Sequence, residues 1–387
     1  MANSFVTSSI ILAEALDLFK NNLRMGNLVN RDYAKEFKGT PKVGESFSIR
    51  NPWRFDVQDG PTINLVDVAE TTINMAITAH KVIPIQISVR DKTMKVDEFK
   101  KKYLEDSMIK LANQVDLDLM GLYKDVYQSV GTAATTPATW TVFGNAAMKL
   151  DWMSCPPGGR SVVLDPPATY SMVDYLKGLY TPQLNEQYIK EGKLINLAGL
   201  GGAYLGQNVK LHTAGTANTS YVTNGTNQTG ASLIVGTGSG TFVVGDVFTI
   251  ADLYALNPVS YTSTGQLQQF VVTAASAGGA VTLSISPSII TTGPTRNVSG
   301  PAVNAKAVTI VATHRANLAF HRDAFTLATV PFTLPETAPV KEQLSADGIT
   351  MTLTGGWDIT NYREIYRLDI LYGVKTIRPE WACRILG

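Results

Sequence analysis

Between residues 211 and 305 the chain carries only three charged side chains, Asp246, Asp252 and Arg296. Thr, Ser, Gly, Asn, Ala and Val dominate there, and β-branched runs recur at 241–250, 267–273 and 281–285. Such runs, separated by Gly- and Asn-rich turns, predict a separate β domain, a small barrel or sandwich. The competing expectation, a disordered low-complexity linker, does not account for the repeated β-branched runs. Charge is plentiful before this stretch, and charged and helical character is expected to resume at Thr313. A foreign β segment therefore reads as an insertion into one discontinuous domain.

Residues 97–128 predict a long helix, with no Pro and one Gly. Leu104, Met108, Leu111, Val115, Leu119, Leu122 and Val126 follow one another at steps of 4, 3, 4, 4, 3 and 4, which keeps them on one helical face. Asp97 and Glu98 stand in the expected first turn, where carboxylates favour the positive helix end. An unbroken rod of this length would run roughly 48 Å. It suits the strut of an extended plate, or a long core-flanking helix in an ordinary enzyme. Asp116 and Asp118, two apart, fall on different faces and are expected to be solvated.

Ahead of it, Leu12, Leu16, Phe19 and Leu23 mark a first helix, with Thr7, Ser8 and Ser9 available to cap it. Its apolar stripe either docks on its own domain or reaches a neighbour. Residues 42–89 read as strand and loop. Phe47 and Ile49 alternate with polar residues, a turn-rich tip holds Asn51, Pro52, Asp59, Gly60 and Pro61, and a return arm alternates from Ile73 to Val89. A ribbon with about 18 residues per arm would project roughly 50 Å. Alone in water it is marginal, so it needs something to lie on. After the long helix, a strand at 161–164, a helix near 169–179 and a Gly-rich stretch at 192–206 complete an α/β region. A strand is expected at 365–377.

Composition excludes several classes. Charged residues make up 17%, against about 25% in an average soluble protein, and the net charge is +1. That leaves no electrostatic footprint for sequence-specific nucleic-acid binding or for an acidic membrane. Cys155 and Cys383 fit a reducing compartment without a disulfide framework. No basic leader precedes the first apolar residues and no apolar run reaches the 18 or more residues of a membrane span. The expectation is a soluble protein made in the cytoplasm.

Motifs for catalysis fail one by one. Gly39 to Ser46 has the glycine spacing of a phosphate loop, yet Glu45 stands where the phosphate-binding lysine belongs. Gly199, Gly201 and Gly202 miss the dinucleotide fingerprint because Tyr204 takes the third glycine position, which points to a turn or a close backbone contact. His80, His212, His314 and His321 form no metal-ligand spacing, and neither cysteine has a local partner. The sequons at Asn218, Asn224, Asn227 and Asn297 follow from composition. No catalytic residue, cofactor site or metal site is expected.

Several stretches, taken together and in order, resemble the major capsid (coat) proteins of tailed bacteriophages, in particular the P22-like group. These are residues 160–166 (RSVVLDP), 193–211 (KLINLAGLGGAYLGQNVKL), 314–329 (HRANLAFHRDAFTLAT) and 367–380 (RLDILYGVKTIRPE). The resemblance implies an α+β chain with the HK97-like capsid fold and a β-barrel-like insertion. The implied divisions are an N-terminal arm at 1–41, an extended hairpin loop at 42–89 and a spine helix with peripheral domain at 90–130. An axial domain at 131–210, the inserted β domain at 211–311 and a return to axial and peripheral domains at 312–387 follow.

It also implies pentamers and hexamers in an icosahedral lattice around packaged double-stranded DNA, with no membrane and no cofactor. Because the chain starts directly at the arm, a separate scaffolding protein is the expected assembly partner; a portal protein is the other. Assembly is expected in the bacterial host cytoplasm and residence in the virion capsid. Phe19, Trp53, Arg54 and Phe55 are the candidate contacts between subunits. The inserted barrel either supports folding of the monomer or reaches a neighbour across a symmetry axis. Alternatives are a phage decoration or carbohydrate-binding module, which leaves the long helix and hairpin without a role, and an enzyme with an inserted lid, which lacks any acid–base cluster.

Overall fold

The computed structural model describes residues 8–33, 46–50, 60, 72–88, 103–176, 194–195, 199–217, 220–360 and 363–387. The chain divides into two compact units, each assembled from separate stretches: Met1–Arg50, Thr72–Leu119 and Phe325–Ile377 in the first, the remainder in the second.

In the first unit the helix Ser8–Asn22 buries Ile11, Leu12, Ala15, Leu16 and Phe19. It packs on the strands Val340–Ala346 and Ile349–Asp358, so its stripe docks on its own unit. Those two strands belong to a five-stranded antiparallel sheet organised on the 14-residue strand Arg363–Thr376. Phe325–Val330 pairs with one half of that strand and Ala79–Ser88 with the other, from Phe325↔Thr376 to Ser88↔Arg363.

This pairing corrects the expected return arm. Only Thr72–Ala76 turns back on Ser46–Arg50, from Ser46↔Ala76 to Arg50↔Thr72. The run from Ala79 onward leaves the ribbon and enters the sheet. Alternation is identical in either role, because one face is buried in both. At the hairpin base Ile49 and Met75 pack with Ala328 and Ile377. Gly373 permits that approach: a Cβ there would meet the Ala76 carbonyl oxygen at 2.6 Å.

The long helix ends earlier than expected. Its described α-helical part is Glu105–Met120, followed by a 3₁₀ turn Gly121–Asp125 and an extended Val126; the residues of its expected first turn, 97–102, lie outside the described set. A 3₁₀ turn advances about 120° per residue, not 100°. The buried side chain there is accordingly Tyr123, while Leu122 is only half-buried.

Asp116 also departs from expectation. It is 3% exposed and accepts the backbone N–H groups of Arg24 at 2.7 Å and Gly26 at 2.9 Å. Burial raises its pKa to about 6, against the opposing pull of those two N–H groups. Asp118 is likewise not simply solvated: it accepts the Tyr372 hydroxyl at 2.6 Å and the Gln114 amide at 3.0 Å. Because the native pKa of Asp116 lies above its unfolded value, the folded chain takes up a proton as pH falls, and stability rises between about pH 6 and pH 4. Urea unfolding across that range should show the wild type gaining about 3 kcal/mol relative to Asp116→Asn. Parallel profiles for the two proteins would remove Asp116 as a buried carboxylate.

In the second unit a seven-stranded sheet is built from chain on both sides of the insertion. Its central strand His314–His321, downstream of the insertion, pairs with Arg160–Leu164 from upstream and with the C-terminal Ala382–Leu386. Helical character therefore does not resume at Thr313. The next elements are strands, and His314–His321 is buried on both faces apart from Arg315. The helices Trp140–Trp152 and Pro166–Leu176 supply Phe143, Leu150 and Met172 to the core over this sheet. Gly201 adopts φ +51°, and a Cβ there would collide with the Arg160 carbonyl oxygen, the close backbone contact expected of that glycine run.

The insertion is a six-stranded antiparallel sheet that curls almost closed. Its two end strands meet through the bridge Val222↔Ala307, with Val308 N–H donating to Tyr221 O at 2.9 Å and Thr223 N–H to Lys306 O at 2.9 Å. Phe242, Phe248, Phe270, Leu283 and Ile285 fill the interior. The first long strand is Val247–Leu256, displaced from the expected 241–250. A turn at Gly245 (φ +100°) precedes it, and a bulge with Asp252 in the left-handed region extends it.

Candidate assembly surface and the neck of the insertion

Of the four candidate contact residues, Phe19 is fully buried within its own unit, so its side chain serves as core here. Trp53, Arg54 and Phe55 lie outside the described residues. Among the described residues the most exposed large apolar side chains are Ile359 at 81%, Val259 at 71% and Tyr170 at 62%. Each stands at a turn or on a helix flank.

The neck of the insertion concentrates the polar chemistry of the second unit. His212 and His314 face each other as register partners where the chain leaves for the barrel and returns from it. Asp246, fully buried, gathers the His212 Nε2–H at 2.9 Å, the Gly215 N–H at 3.2 Å and the Val243 N–H at 2.8 Å. The other imidazole nitrogen of His212 lies 3.1 Å from the Tyr123 hydroxyl. His212 is therefore held in one tautomer by partners on both nitrogens.

Arg384, on the C-terminal strand, is the largest fully buried side chain among the described residues. It donates to the Gly245 carbonyl at 2.8 Å and sits over the Tyr123 ring at 5.1 Å. Burial pulls its pKa down to about 10, with Tyr123 and Asp246 opposing. His314 donates from Nδ1 to Ala312 O at 2.7 Å. Burial, with the Arg384 charge adding to it, takes its pKa down to about 4. Both ring nitrogens of His212 and both carboxylate oxygens of Asp246 are committed to bonds, which makes this pair a structural node.

Both thiols are held in the neutral form. Burial pushes the Cys155 thiol up to about 11 and the Cys383 thiol up to about 12. Among the described residues no group of three or more His, Cys, Asp or Glu is placed to hold a metal ion. No described helix is long and apolar enough to cross a membrane. Sequence reasoning passed over Arg384 entirely. Asp246 carried a signal, as one of three charges in an otherwise uncharged β segment.

Comparison with known proteins bears directly on this architecture. The structure is similar to one from Mycobacterium phage Che8, at 13% identity and TM-score 0.50, covering 94% of this chain and 90% of that one. It is more distantly similar to the capsid of Cyanophage P-SCSP1u (11%, 0.44, 90% and 84%) and to the mature capsid of bacteriophage PhiM1 (9%, 0.43, 89% and 82%). No curated protein matches at significant similarity. The α+β architecture, with its inserted, nearly closed barrel, has the HK97-like fold. A family model described as P22 coat protein, gene protein 5, matches residues 1–387, and the chain belongs to that family. It is a structural protein of the phage capsid.

Proposed function

We propose that this chain forms pentamers and hexamers that close into the shell on a scaffolding protein, with a portal protein at one vertex. The family match over residues 1–387 is the observation that carries this reading. Repeated head-to-tail contacts close into rings when the rotation between neighbours permits, and one chain serves both ring sizes if its contact surfaces tolerate small changes of angle. Double-stranded DNA is enclosed without sequence-specific contact. A net charge of +1 supports this, since dense phosphate neutralisation by the inner wall would hinder packing and release. Assembly takes place in the bacterial host cytoplasm.

The divisions read from the sequence serve as the working assignment: arm, extended loop, spine and peripheral domain, axial domain, insertion and return. Trp53, Arg54 and Phe55 remain the proposed contacts of the loop with a neighbouring subunit. Trp53→Ala is expected to lower the yield of closed particles at least tenfold while leaving the subunit's unfolding free energy within about 0.5 kcal/mol, as for surface substitutions. Paired assembly and urea-unfolding measurements check this; equal damage to both would count against the loop assignment. The chain performs no catalysis in this proposal, which is supported by the commitment of His212 and Asp246 to the neck. An activity lost on replacing His314 or His321, with assembly intact, would overturn that part.

A further inference from the structure

Besides the Arg384–Gly245 bond of the neck, one barrel side chain bonds to the edge strand of the seven-stranded sheet. Gln269, on the barrel strand Ser263–Val272, faces the edge strand Ser129–Val130. Its Oε1 accepts the Ser129 backbone N–H at 2.7 Å, and its Nε2 donates to the Ser129 carbonyl at 3.1 Å and to Ser129 Oγ at 2.9 Å. A side-chain amide offers one acceptor and one donor to a peptide group that needs both, so it reproduces a rung of a β-ladder. Edge strands present such groups to any passing strand unless something covers them. Beside this contact, Asn257 of the barrel donates to the Trp152 carbonyl at 2.8 Å.

The same Gln269 oxygen also accepts Lys149 Nζ at 2.5 Å. Lys149 projects from the helix Trp140–Trp152 and is partly buried. Among the described residues it has no carboxylate partner. Its neighbouring ionisable group is the Cys383 thiol, which burial keeps protonated. Burial pulls the Lys149 ammonium below its ordinary pKa, so the charge is worse solvated at the closed junction than in water.

We propose that Gln269 locks the barrel onto the sheet edge, and that Lys149, sharing the same oxygen without a counter-charge, keeps that lock weak enough to open. Opening hydrates the ammonium, which lowers the cost of tilting the barrel away from Ser129. A chain that occupies both five- and six-membered rings has use for such play. That use rests on the shell reading, but the lock itself is a property of the single subunit and is tested there.

Hydrogen exchange of the Ser129 amide in the full-length, unassembled subunit reads the junction directly, because that N–H is bonded to Gln269. Lys149→Met is expected to slow Ser129 exchange several-fold, because the closed junction no longer holds a poorly solvated charge. Gln269→Leu should speed it by at least tenfold, with the barrel-core amides of Phe248 and Phe270 unchanged in both variants. Lys149→Gln, neutral but polar, repeats the first arm if the methionine variant folds poorly. Unchanged or faster exchange in both Lys149 variants would overturn the role of Lys149. Unchanged exchange in Gln269→Leu would overturn the lock. Neither outcome bears on whether the chain builds a shell.

Discussion

Leu111→Asp is expected to give no soluble, folded subunit. Leu111 is 3% exposed in the helix Glu105–Met120, on the same buried face as Met108, Val115 and Leu119. Truncation to Ala at such a site costs about 2–5 kcal/mol through lost transfer energy and the cavity left behind. Asp adds the burial of a carboxylate with no partner, a further several kcal/mol. Against a domain stability of about 5–15 kcal/mol the sum removes most or all of the folded population. Ile109, two residues away and 38% exposed, provides the control: Ile109→Asp should stay within about 1 kcal/mol of wild type. Soluble yield and far-ultraviolet circular dichroism of the three proteins make the comparison. Assembly-competent Leu111→Asp protein would show that this stripe is not core.

Arg384→Met is expected to destabilise the second unit by about 3–5 kcal/mol, the usual cost of breaking a buried charge arrangement from one side. Methionine replaces much of the volume, so packing changes little. What is lost is the donor to the Gly245 carbonyl and the positive charge that compensates fully buried Asp246. Asp246→Asn attacks the same node from the barrel side. It turns an NH₂ toward one of three N–H donors, those of His212, Gly215 and Val243. Because both changes dismantle one charge arrangement, the double variant should cost at least about 1 kcal/mol less than the two singles added. Urea unfolding of the four proteins gives the cycle. Strict additivity, or an Arg384→Met cost below about 1 kcal/mol, would mean that the neck is held by packing alone.

The insertion was the most legible part of the chain, since a β-rich segment almost free of charge must bury its own face in its own core. Phe242, Phe248 and Phe270 do so. The stripe from Leu104 to Leu119 was equally plain. Its end was not, because a 3₁₀ turn keeps apolar residues in the sequence while rotating Tyr123 into the site that Leu122 would otherwise fill. Strand alternation from Ile73 onward announced strands without saying which partner each would take, and the switch after Ala76 depends on pairing with a strand nearly 300 positions away. Asp116 illustrates a different limit. Helical geometry puts it off the apolar stripe, but the two N–H groups that claim it come from the segment Arg24–Gly26, whose approach is purely tertiary.

Helical character was expected from Thr313 onward, whereas His314–His321 is a strand. A central strand buried on both faces needs no alternation, and its N-terminal residue His314 is used at the neck. Of the candidate contacts, Phe19 is buried in its own unit, where its helix packs on the strands Val340–Ala346 and Ile349–Asp358.

Electron microscopy of the chain co-expressed with its scaffolding protein tests the central claim most directly. Closed particles of a uniform diameter, built from five- and six-membered rings, are the predicted result. Monomers or small oligomers alone, with both proteins soluble, would contradict it.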